Sequence, residues 1–174
     1  HSAYFLSAAG RSEEAYRRVS VVLRLATSRR ALHQRAKALA VMAGVCWSRE
    51  RLEKAIEAAS EALVLNGQLK DRPGEAYTLE TLSVYHWHNG DYDQAARCIL
   101  LAARKYRALG GTLNRIRSCQ MMARAHSMKG DFLKAGKYHR EAILLCDKVG
   151  EQSLRYVSLA LIRRLYLLRG QFRV

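Results

Sequence analysis

His86-x-His88, followed by Asp91, is the first place in this sequence to look for chemistry. Imidazoles and a carboxylate are metal ligands. On a helix, however, residues two apart point to different sides, so these two rings do not readily share one ion. His86 instead occupies an aromatic position of a helical pattern, and His126 sits in the same register. The cysteines, Cys46, Cys98, Cys119 and Cys146, form no C-x-x-C pair, so neither a zinc knuckle nor a redox motif is present. Isolated in helical stretches, they read as small core residues of a reducing compartment. No glycine-rich phosphate loop occurs, and no Ser-His-Asp or paired-carboxylate set can be assembled. The sequence therefore predicts no enzyme, no metal and no cofactor.

The elements that carry these residues are helices. Among 174 residues there is one proline, hydrophobic residues make up 49% and charged residues 26%. Proline breaks helix interiors, so its scarcity beside abundant Ala, Leu and Arg predicts an all-α chain with a real core. Net charge is +15, from 30 Lys+Arg against 15 Asp+Glu. That balance favours acidic partners: an anionic peptide, an acidic neighbouring domain or nucleic acid. Arg104, Arg107, Arg117 and Arg124 fall on both kinds of helix described below and form no single stripe, so specific nucleic-acid recognition is not expected. No apolar run is long enough to span a membrane and no signal peptide is visible, which points to the cytoplasm. A start at His1-Ser2 reads as a piece of something longer.

A repeat organises the chain. "HNGDYDQA" (88–95) returns as "KGDFLKA" (129–135), with Gly90 and Gly130 forty residues apart. The same interval reaches Gly10, Glu50 and Gly170, and Ala15, Ala55, Ala95 and Ala135 keep the register. The second residue past the turn glycine reads Ser12, Leu52, Tyr92, Phe132 and Phe172. Between the turns lie two amphipathic helices per period, helix A (as in 76–87) and helix B (as in 93–103), with apolar residues at three-and-four spacing. Gly90 should end helix A in the left-handed region, where glycine bears no steric penalty. Asp91 is placed to cap the next helix, Tyr92 to plug the turn, and Ala95 to let two helices approach closely.

The pattern resembles the tetratricopeptide repeat (TPR). Helix A supplies Leu79, Leu82 and Ser83, the turn is Gly90-Asp91-Tyr92, and helix B supplies Ala95 and Ala102. The next repeat gives Cys119, Met122, Ala123, Gly130-Asp131-Phe132, Ala135 and Ala142. The earlier one keeps Ala55 and Ala62 but reads "SRERLEKA" at its turn, without the glycine. The period of 40 exceeds the family's usual 34 and is similar to repeats of large bacterial signalling ATPase regulators, including transcription activators, and of kinesin light chains. The resemblance implies an all-α, right-handed solenoid of antiparallel helix pairs. It gives a single array over 1–174: a partial repeat 1–30, repeats 31–70, 71–110 and 111–150, and a partial repeat 151–174. Arg163 departs from it, standing where a small residue is expected.

In such an array the inner face of helix A binds the partner. The candidate groove comprises Lys37, Trp47, Tyr77, Trp87, Arg117, Gln120, Arg124 and Arg164. Aromatic faces would supply apolar area and arginine forks would take carboxylates, as an acidic or aromatic peptide offers. The repeats that clamp acidic chaperone tails carry Lys and Asn at two inner positions. Here those hold Ala40/Gly44, Glu80/Val84 and Gln120/Arg124, so that clamp is missing. The helix at 153–169 carries Leu161, Leu165 and Leu168 with no following helix B, and predicts self-association there or a continuing array. The expected function is a non-catalytic protein- or peptide-binding module within a larger signalling or transcription-regulatory protein. A cytosolic adaptor gripping a partner helix or acidic peptide is the second reading, and direct nucleic-acid binding, resting on charge alone, the third.

Overall fold

The computed structural model describes residues 12–25 and 31–168. Gly10, Gly170, Phe172 and the helix A expected before residue 12 lie outside them, as does the side chain of Leu168. Among the described residues there are eight α-helices: α1 (Ser12–Leu25), α2 (Leu32–Ser48), α3 (Leu52–Gln68), α4 (Arg72–His88), α5 (Tyr92–Leu109), α6 (Thr112–Met128), α7 (Phe132–Val149) and α8 (Gln152–Leu168). Every one opens twenty residues after its predecessor. From α2 onward the connections are two or three residues long, which turns each helix back against the one before it.

The chain divides into two compact units, 1–98 and 99–174. In the first, α1 packs on α2, α2 on α3 and α3 on α4. Its core joins Val19, Leu39, Met42, Cys46, Leu65, Leu82 and Tyr85, with Cys98 of α5 packed against it. In the second, α6 packs on α7 and α7 on α8. Ile116, Cys119, Leu145 and Cys146 form a core there, with Leu154 against it. The repeat's alanines are all in the core: Ala15, Ala55, Ala95 and Ala135 are 0% exposed, as are Ala62, Ala102 and Ala142. Ala43, Ser83 and Ala123 are buried one period apart, whereas Arg163, the fourth residue in that register, is exposed.

The turns are built alike. The N–H groups of Arg51, Asp71, Asp91, Asp131 and Glu151 donate to the carbonyls of Cys46, Asn66, His86, His126 and Cys146 at 2.9–3.0 Å. Each bond closes the end of a helix in the six-residue pattern that needs one left-handed residue. That residue is Gly90 (φ 84), Gly130 (φ 74) or Gly150 (φ 69), but Glu50 (φ 59) and Lys70 (φ 55) at the α2–α3 and α3–α4 turns. Asp71 and Asp131 cap the following helices, accepting from Gly74 N at 3.0 Å and Lys134 N at 3.1 Å. The carboxylate of Asp91 takes the Asn89 amide at 2.7 Å and lies 3.5 Å from His86 Nδ1. Tyr92 departs from the plug drawn from sequence. It is 57% exposed and its ring meets Trp87 edge-on at 4.9 Å, because Trp87 one turn away offers an apolar edge outside the core.

Candidate functional site

Helices α2 and α4 are successive A helices, and α3 lies behind them. Where α2 and α4 face each other they leave a partly open cavity of about 440 Å³. From α2 come Ala40, Val41, Gly44 and Trp47, and from α4 Tyr77, Thr78, Thr81 and Tyr85. The gap arises from side-chain size. Positions 40 and 44 hold Ala and Gly, and a Cβ built on Gly44 would meet nothing within 4 Å. Trp47 forms one wall. It stacks on Tyr85 with ring centres 4.9 Å apart at 29°, and His88 meets its edge at 4.6 Å. Tyr77 forms a rim, 55% exposed.

None of the cavity's side chains is charged. Its aliphatic hydroxyl protons are committed to backbone carbonyls: Thr78 donates to Gly74 O at 2.8 Å, Thr81 to Tyr77 O at 3.0 Å and Ser48 to Val45 O at 2.9 Å. Thr78 Oγ1 also accepts from buried Asn66 at 3.1 Å. What remains is aromatic area without a charged partner, suited to an uncharged group.

Of the groove residues expected from sequence, Trp47 and Tyr77 line this cavity. Lys37 is exposed on α2, and Trp87, 44% exposed, packs on Tyr92. Arg117, Gln120, Arg124 and Arg164 belong to the second unit. The Arg117 guanidinium lies over the Tyr106 ring at 5.7 Å, and Arg164 is exposed. Gln120 is 7% exposed, its amide donating to Leu154 O at 2.9 Å and Ser158 Oγ at 3.0 Å, so it ties α6 to α8. Tyr85 and Thr78 were not among the expected site residues. The small residues at 40 and 44 were the only hint of room there.

The titratable groups behave as structural parts. Burial pushes all four cysteine thiols up, Cys119 to about 11 with Glu141 adding to the effect. Hydrogen bonds hold two turn carboxylates below their ordinary value: from Asn89 and His86 onto Asp91, and from Lys134 onto Asp131. His86 and His126 each face the aspartate of their own turn, at 3.5 and 3.6 Å. His88 turns away to Trp47. Among the described residues no group of three His, Cys, Asp or Glu is placed to hold a metal. Nor is any helix among them long and apolar enough to cross a membrane.

No family model and no curated protein matches the chain. Solved structures do. The nearly identical TPR-like repeats of a Podosopora anserina protein described as a kinesin light chain superpose with a TM-score of 0.76 at 19% identity. The match covers 97% of this chain and 84% of that one. A second structure of those repeats gives a TM-score of 0.74 with the same identity and coverage. The fold is that of TPR-like repeats. Within it the α2–α4 cavity lies between successive A helices.

Proposed function

We propose that this protein is a non-catalytic, peptide-binding TPR-like module that holds a segment of a partner against its A helices. The observation that carries the reading is the 440 Å³ cavity between α2 and α4, with Trp47 and Tyr77 on its walls. Charge adds a second attraction. Sixteen of the 30 Lys+Arg but only four of the 15 Asp+Glu lie beyond residue 98, so the second unit favours an acidic stretch of the partner.

In the first setting the module is the interaction segment of a larger signalling or transcription-regulatory protein. The likeness to kinesin-light-chain repeats favours the second, a cytosolic adaptor. Four free, weakly acidic thiols fit a reducing compartment in either case. Helix α8 supports a self-associating surface, since Tyr156, Val157 and Leu167 are 65%, 48% and 54% exposed.

Selection of a random peptide library on the whole chain tests the reading. Peptides that bind at micromolar strength and compete with one another support it. If no peptide is enriched, while duplex DNA binds tightly and sequence-dependently at physiological salt, the module is a nucleic-acid binder instead.

A further inference from the structure

The second unit shows what fills a gap between successive A helices. Gln120 crosses from α6 to Leu154 O and Ser158 Oγ on α8. Two periods earlier the corresponding residues are Ala40 on α2, and Gly74 and Thr78 on α4. Ala40 is too short to cross, Thr78 finds its partners in Gly74 and Asn66, and the space stays open as the cavity. The repeat thus contains one slot closed by its own side chain and one left empty.

We propose that the empty slot is an anchor pocket, and that it takes one uncharged apolar side chain, aromatic or large aliphatic, from a bound peptide. This rests on the peptide-binding reading above. Three features set the chemistry. Trp47 is held between Tyr85 and His88, so its ring is a fixed wall and does not swing in to fill the gap. Gly44 leaves open space beside it. The lining lacks charge in a chain of net charge +15, and the hydroxyl protons of Thr78, Thr81 and Ser48 are already donated to the backbone. A carboxylate entering the slot would lose its water and meet no cation in the lining, whereas an aromatic or leucine side chain meets matching surface. Acidic residues of the same peptide therefore lie outside the slot.

The whole chain, labelled with nitrogen-15, is titrated with N-acetyl-L-phenylalaninamide, N-acetyl-L-leucinamide and N-acetyl-L-glutamic acid amide. Saturable shifts of the Gly44 and Thr81 amides and the Trp47 indole are expected with the first two probes only. Gly44→Leu and Ala40→Gln each place a side chain in the slot, and each should weaken that binding at least tenfold. The second uses the residue that closes the gap in the second unit, so a folded variant is available even if Gly44→Leu fails to fold. Equal or stronger shifts with the glutamate probe, or unchanged phenylalanine binding in the folded variants, overturn the proposal. So does binding of benzyl alcohol with no binding of the blocked amino acids, which marks a small-molecule site. Library peptides that bind the whole chain undiminished by either substitution overturn the anchor and leave the peptide-binding reading standing. Absence of any peptide binding removes both.

Discussion

Glu50 and Gly90, one period apart, hold the same left-handed backbone, with φ of 59 and 84. Each ends an A helix, and the following N–H closes back on Cys46 O or His86 O. The turn lost its glycine at 50 and kept its shape, because the hydrogen bond and the packing of α2 on α3 over-determine it. A side chain in that region costs about 1 kcal/mol, partly offset by the greater flexibility of glycine in the unfolded chain. Glu50→Gly and Lys70→Gly should each stabilise the protein by up to ~1 kcal/mol in urea melts. A loss of stability in both would show that their side chains contribute more than the strain costs.

Ala95 is fully buried, whereas Ala108 near the end of the same helix is exposed. Ala95→Leu should destabilise by ~1–3 kcal/mol through overpacking, and Ala108→Leu by less than about 0.5 kcal/mol. Thermal melting compares the two directly. Matching melting temperatures would undo the packing role given to Ala95.

His139 on α7 is 1% exposed, with Nδ1 unpartnered. Burial, with Arg124 adding to it, lowers its pKa to about 4. An unfolded histidine titrates near ~6.5, so the unfolded state binds more protons between the two values. This contribution to stability is therefore complete above ~6.5 and is lost as pH falls to about 4, ~3 kcal/mol at most. His139→Gln should flatten that part of the curve. The difference in unfolding free energy between wild type and variant, followed from pH 7 to 4, measures it. A pH-independent difference would mean that His139 gains water or a partner on protonation.

On α8, Leu165 is 7% exposed and lies beside a small cavity shared with Phe132 and Leu133 of α7, while Val157 and Leu167 face outward. The helix thus turns Leu165, one of its expected apolar residues, inward, keeps Leu161 half-buried, and leaves Val157 and Leu167 uncovered. If the outer set drives association, Val157→Lys with Leu167→Lys should give a concentration-independent monomer mass in light scattering, with helicity unchanged. A wild-type mass that stays monomeric at millimolar concentration would dismiss that surface.

The sequence alone determined the period, the turns and which alanines are buried. These are local matters: helix faces repeat every 3.6 residues, and one small residue per face sets how closely two helices approach. Ala95 and Ala135 could be placed without coordinates for that reason. Only the tertiary structure decided which inner-face residues are available to a partner. Gln120 and Ala40 occupy the same register, yet Gln120 is spent bridging α6 to α8 while the place beside Ala40 is open. Trp47 and Trp87 also share a register, yet one walls the cavity and the other packs on Tyr92. Periodicity tells which way a side chain points. Whether it meets a neighbour depends on the length of the side chains across the gap, and those belong to residues some forty positions away.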